Sequence, residues 1–547
     1  MYRRGYRNNA AFWGGGIVAV IAVAALLYFM TSREAPGTGG TYTEGIAGNP
    51  IAMNPLLAAH NDPDKDLSAL LFAGLTRIDK DGAVLSDLAS SWNVSDDGKI
   101  FSFKLRPGLK WHDGQPLTAE DALFTYRLLQ LDSTQADPDV TALWKKVHIE
   151  KVDEQVIQLS LDTPFAPFLT YATVGLLPRH LLNDVDPKNL STHEFNVNPV
   201  GAGPFRLKEA RIDQVTLEAN KDYYQGRPLL DNIVLRFIKD DQTIAAALAT
   251  NQLEGGLLRP SLGAETITML EQNKRLNTQI LPRASYSVLF LNTGSAAFSD
   301  KNIRKAVASS IDKDQLINSA LGGIGIPATG PIVPGSWAYV GNANGPSYDP
   351  AQASKLMTDS GWRKNGSGAW EKDGKEISFY LFTNNDKTRE ATSEALGVQL
   401  RQGGFKPQTG SSGTAGLLQN FLIPRKYDAI LYGIDPGADP DPYPLWHSSQ
   451  NTQDGLNVSA LQQPKVDELL EKGRTTIDAG ARREFYRQFQ QLFADEMPSV
   501  PLYHPGYLYA VDRAVKGMSL GVLFDPSSRF QNVTKWYKNT RRIWGSR

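Results

Sequence analysis

Residues 85–127 read LSDLASSWNVSDDGKIFSFKLRPGLKWHDGQPLTAEDALFTYR. SDDGK is a turn, because Asp97-Gly98 supplies the positive φ that a tight hairpin needs. Phe101, Phe103 and Leu105 then alternate with Ser102, Lys104 and Arg106, the period-two pattern of a half-buried strand. Pro107-Gly108 and Asp113-Gly114 break the chain again. Thr118 is placed to cap a helix whose first turn holds Glu120 and Asp121, where carboxylates suit the helix dipole. The stretch predicts a strand-turn-strand-turn-helix unit and contains no catalytic chemistry.

The order SWxVSDDGxxFxFxLRxGxKWHDGxPLTAEDxxFT resembles the signature of the family 5 extracellular solute-binding proteins of ABC importers. The resemblance continues in the family's order. It runs through NPVGAGPFRLKE (198–209), NKDYYQGRPLLDNIVLRFIKD (220–240) and VLFLNTGSAAFSDKNIRKAVASSIDKDQLI (288–317). DPGADPDPYPLWHS (435–448) and MPSVPLYHPGYLYAV (497–511) complete it. One departure is Ala296-Ala297-Phe298, where the family has a small residue followed by Pro-Phe.

Composition is consistent with a globular, loop-rich α/β protein of more than one domain: 547 residues, 48 glycines and 32 prolines. The formal net charge of −1 is no nucleic-acid footprint. Cysteine is absent, which excludes disulfides, thiolate metal sites and cysteine nucleophiles. It also excludes the lipidated cysteine that holds many members of the resembled family to a membrane. Arg3, Arg4 and Arg7 precede an uncharged apolar span, residues 10–30. At about 1.5 Å per residue that span covers about 30 Å, one bilayer core. Residues 1–31 are expected to be a transmembrane anchor with a cytoplasmic N-terminus, and a cleaved signal peptide is the rival reading. Residues 32–45, rich in Gly and Thr, then form a flexible tether.

Patterning predicts helices over 67–71, 119–129, 241–250, 302–310, 350–360, 388–402, 464–472 and 479–496. Strands are expected over 286–291, 377–382 and 429–432. Alternation of the two element types means α/β. The resemblance implies a bilobed periplasmic-binding-protein fold. One lobe is discontinuous (41–83, 199–284 and 506–547), a smaller domain (84–198) is inserted in it, and 285–505 form the opposing lobe.

No HExxH, P-loop, GxSxG or EF-hand pattern occurs, and the seven histidines form no i, i+4 pair. Nothing argues for an enzyme, a metal site or a cofactor. His112, in the KWHDG turn, is expected to be structural. The densest polar group is Asp435, Asp439 and Asp441, followed by Tyr443, Trp446 and His447. The run IDPGADPDPYP is rigid, with four prolines and one glycine. Its carboxylates either grip a ligand ammonium or fix their own turn. The resemblance implies the first, with Asp435 on the α-amino group of a peptide and Asp439 as the alternative. Arg389, at the start of a helix, either forks onto the ligand carboxylate, as the resemblance implies, or faces solvent near Glu390 and Glu394. The resemblance places Trp337, Tyr339, Trp446 and Tyr509 in segments that line the family's cleft, although each such ring is more often core than ligand contact. His60 falls near the cleft too, and Asn292 and Thr293, just after a strand, are further candidates. The C-terminal run 529–547 is expected to form a last helix docked through Val533, Trp536 and Tyr537.

The reading is therefore a receptor subunit of an ABC importer, monomeric and anchored at the extracytoplasmic face of a bacterial plasma membrane. It hands peptides to permease and ATPase subunits in other chains. Alternatives are the same fold binding a nickel complex, haem, an opine or an oligosaccharide, a peptide-acting enzyme, or a surface sensor.

Overall fold

A computed structural model describes residues 32–259, 262–341 and 345–544. The expected anchor, residues 10–30, lies outside them. Among the described residues no helix is long and apolar enough to cross a membrane.

The opening stretch folds as its residues dictate. Strands Ala89–Val94 and Ile100–Leu105 form an antiparallel hairpin that continues, through Val156–Leu161 and Val147–Lys151, into a four-stranded sheet. Phe101, Phe103 and Leu105 are buried and Lys104 is exposed. Gly98 takes the positive φ, 70°, of the hairpin turn. Thr118 begins helix Ala119–Leu129 with a reciprocal capping box: its side chain accepts from the first turn, and Asp121 accepts from the Thr118 N–H at 2.9 Å.

This unit is clasped by the distant NPVGAGP segment. The His112 ring sits between the Gly201 N–H, which donates to Nδ1 at 3.2 Å, and the Gly203 carbonyl, 3.1 Å from Nε2. Burial pushes the His112 pKa down to about 4, so the ring stays neutral and structural. Gly201 has no room for a side chain, since a Cβ there would lie 1.9 Å from the Leu71 carbonyl oxygen.

A twelve-stranded sheet runs through the rest of the molecule. One half contains Thr41–Ala47, Asn232–Ile238, Gln214–Ala219 and Phe205–Ala210. The other contains Tyr286–Leu291, Ala429–Ile434, Ser378–Asn384 and Lys406–Ser412. The 14-residue strand Ser499–Asp512 belongs to both. Its first part pairs with Tyr286–Leu291 and its last part with Leu276–Pro282. The chain thus crosses between the halves twice, near 283–285 and 503–506. Each half carries its own apolar core: Tyr42, Leu217, Ile233 and Trp536 in one, Leu289, Leu381, Leu431 and Leu502 in the other.

Helices Asp62–Leu71, Ala119–Leu129, Asp241–Ala249, Lys301–Ser309, Pro350–Asp359, Lys387–Gln402, Pro464–Thr475 and Ala479–Glu496 stand where periodicity put them. Two expectations need correcting. The expected tether, 32–45, holds strand Ser32–Pro36 and the start of Thr41–Ala47, and Ser32–Pro36 pairs antiparallel with Thr540–Trp544. Among its described residues the C-terminal run forms no α-helix but a 3-10 turn, Val533–Lys535, and that closing strand. Val533 and Trp536 are buried in the core all the same, because burial there requires apolar side chains but not a helical spacing.

Candidate ligand-binding site

A cavity of about 470 Å³ opens where the two halves of the sheet meet. Strand Ser378–Asn384 leads into helix Lys387–Gln402, which is capped by Asp386 through the Arg389 N–H at 3.0 Å. Arg389 therefore sits in the first turn and points back over its neighbours. Its Nη1 donates to Asn384 Oδ1 at 3.1 Å, and its guanidinium lies 4.9 Å from the centre of the Tyr432 ring. Gly433 makes the space, since a Cβ there would lie 2.7 Å from Arg389 Nη2. Among the described residues Arg389 has no ion-pair partner within 4.0 Å.

Asp435 follows two residues after Gly433 and lines the same cavity. Its Oδ1 accepts the Gly437 N–H at 3.2 Å, and its Oδ2 lies 3.6 Å from Arg283 Nη2. Its side chain is 54% exposed, so this pair is loose. Arg259, Arg283, Tyr503 and Tyr507 complete the wall. Ser285 Oγ, also in the wall, is buried without a hydrogen-bond partner. A carboxylate and an unpaired guanidinium in one half-enclosed cavity are complementary to a zwitterion.

The other carboxylates of the loop are committed. Asp439 takes both terminal nitrogens of Arg482, at 2.7 and 2.8 Å, with both side chains buried. Arg482 in turn lies over Trp337 and Tyr486. Asp441 is nearly buried beside Arg474 Nε at 3.2 Å and accepts the Tyr443 N–H. Burial pushes its pKa up to about 6, with Arg474 opposing the shift. Of the three aspartates only Asp435 faces the cavity; Asp439 and Asp441 hold the loop that presents it.

The remaining candidates are placed elsewhere. Trp446 is fully buried against Phe290 and Phe493. Tyr443 stacks on His447 at 4.2 Å, beneath Arg474. Tyr509 is fully buried, its hydroxyl bonded to Tyr42 and Glu44. Trp337 packs on Tyr486, and the Tyr339 hydroxyl lies 3.3 Å from Thr329 Oγ1. Asn292 spends its amide on the Arg425 and Tyr427 carbonyls, and Thr293 bonds the Ser459 and Ala460 carbonyls. Asn292 borders a separate open cavity of about 660 Å³. His60 is 75% exposed, 3.6 Å from Asp137. Except for exposed His60, these side chains found partners inside the fold rather than at the cleft. Sequence reasoning did not find Arg259, Arg283, Tyr503 or Tyr507. Three of them flank the two chain crossings, and Pro282 and the Pro505-Gly506 pair are the local signals that the strands change partners there.

Residues 83–455 match the model of the bacterial extracellular solute-binding proteins, family 5. The oligopeptide-binding protein AppA of Bacillus subtilis is 30% identical over 92% of this chain and 93% of its own length. The solved structure of that protein in complex with a nonapeptide covers 92% of this chain and 99% of its own, with 28% identity and a TM-score of 0.65. The nickel-binding periplasmic protein of Escherichia coli is 26% identical over 83% of this chain and 87% of its own length.

Proposed function

Because the chain belongs to the family 5 bacterial extracellular solute-binding proteins, we propose that it is the receptor of an ABC importer and captures peptides between two lobes. The observation that carries the reading is the presence of Asp435 and Arg389 in one cavity, suited to the ammonium and carboxylate ends of a peptide. Tyr503 and Tyr507, in the cavity wall, would cover side chains without reading them closely. Ligand binding stabilises a closed form only by its difference in affinity between open and closed states. The lobes are 41–83 with 199–284 and 506–547, the inserted domain 84–198, and 285–505. The receptor acts as a monomer outside the plasma membrane, tethered by residues 10–30, and catalyses nothing itself. N-terminal sequencing of the mature protein tests the tether, since loss of residues 1–31 would mean a cleaved leader.

Native mass spectrometry of protein purified gently from cells tests the ligand. Added masses that dissociate and sequence as peptides are expected; one uniform non-peptide mass would overturn the reading. A second reading, a nickel complex, is favoured by the nickel-binding relative. Among the described residues no three His, Asp or Glu side chains cluster to hold a bare ion, so the metal would arrive within a chelate whose carboxylates meet Arg389. A thermal shift with nickel-histidine and none with peptides would establish that reading instead.

A further inference from the structure

Arg283 is held in place by its backbone. It is the first residue after strand Leu276–Pro282, and its N–H donates to the Pro505 carbonyl of the other chain crossing at 2.9 Å. Its guanidinium lies 5.7 Å from the centre of the Tyr507 ring and reaches Asp435 at 3.6 Å. Arg259 also acts on this tyrosine, whose hydroxyl is held by burial above its ordinary pKa against the pull of both arginines. Arg259 gives Nε to Asp241 at 2.8 Å, but half of its side chain, 52%, remains exposed at the cavity. Asp62, within 4.0 Å of Lys65, and buried Arg529 also act on Tyr507, and Asp386 lines the cavity beside Arg389.

If Asp435 takes a ligand ammonium, that ammonium and Arg283 share one carboxylate and repel each other. A second carboxylate on the ligand, close to its own ammonium, removes the conflict by pairing with Arg283 and the free N–H groups of Arg259. In a peptide that position belongs to the side chain of the first residue. We infer that this receptor selects peptides whose N-terminal residue is acidic, and that Arg283 is the specificity-determining side chain. The inference rests on the peptide reading above.

The test is calorimetry of the full chain, freed of co-purified ligand, with the tripeptides Asp-Ala-Ala, Asn-Ala-Ala and Lys-Ala-Ala. Asp-Ala-Ala is expected to bind about tenfold more tightly than Asn-Ala-Ala, and Lys-Ala-Ala least tightly. Arg283→Gln is expected to bring the Asp/Asn ratio close to one while Asn-Ala-Ala still binds, which shows the variant is folded. Arg283→Lys is expected to restore part of the ratio. A wild-type ratio near one, a ratio unchanged in Arg283→Gln, or equal tightening of all three peptides in that variant would overturn the inference and leave the peptide reading intact. Failure of all three peptides to bind the wild type would overturn the inference, and the masses of the co-purified ligand would show whether the peptide reading falls with it.

Discussion

Arg529 and Arg389 show two ways of placing a guanidinium in the same molecule. Arg529 is 1% exposed and takes Glu44 at 2.7 Å and both oxygens of Asp66 at 2.6 and 2.7 Å. Glu44 also accepts from the Tyr42 and Tyr509 hydroxyls. Every strong donor there has an acceptor, as burial demands. Arg389 has one amide oxygen and the face of a ring. The first arrangement is saturated and has nothing left for a ligand. The second is short of partners at the cavity wall, where a ligand can supply them.

Four measurements would break or sharpen that contrast. Arg529→Met leaves Glu44 and Asp66 buried without their cation. It should lower unfolding stability by about 3–5 kcal/mol, read from urea midpoints. Asp435→Asn should leave those midpoints unchanged but weaken peptide binding by about 2–5 kcal/mol in calorimetry; unchanged affinity would remove Asp435 from the site. Asp441 tests the loop's buried side. Its folded pKa, about 6, lies above the ordinary carboxylate value of 3.8, so its protonated form is the one the fold favours. That contribution is full below the unfolded pKa and is lost as pH rises through about 6. Between pH 4 and 7 the wild type should therefore lose on the order of 2–3 kcal/mol relative to Asp441→Asn. A constant difference across that range would mean that Asp441 is ionised throughout. The smallest effect is expected for Gly433→Ala. The new methyl displaces the flexible end of Arg389 and should weaken binding by about 1 kcal/mol without changing stability.

The helices were legible because Thr118 writes the start of one locally and apolar residues recur at helical spacing in the others; the caps Asp240 and Asp478 confirm two more starts. The acidic loop was legible as a loop and as a concentration of charge. Which aspartate stays free was not, because Arg474 and Arg482 are brought to it by helices 33 and 43 residues further along. Trp446 and Tyr509 carry the residue types of a binding cleft, yet strand pairing and helix packing turned both inward. Arg283 looked like an ordinary arginine between two strands. Only pairing with residues more than 200 positions away sets it beside Asp435 and Tyr507.

Strand Ser499–Asp512 also determines when the molecule can be finished. It is the shared member of both halves of the sheet, and it leaves the ribosome only after residue 498 of 547. Thr41–Ala47, made near the start, waits for Asn232–Ile238, and Tyr286–Leu291, paired first with Ala429–Ile434, waits for Ser499–Tyr503 on its other edge. Such distant pairings are slow to form. A chain whose keystone arrives this late stays uncompleted through nearly all of its synthesis, the condition in which a polypeptide can still be threaded across a membrane.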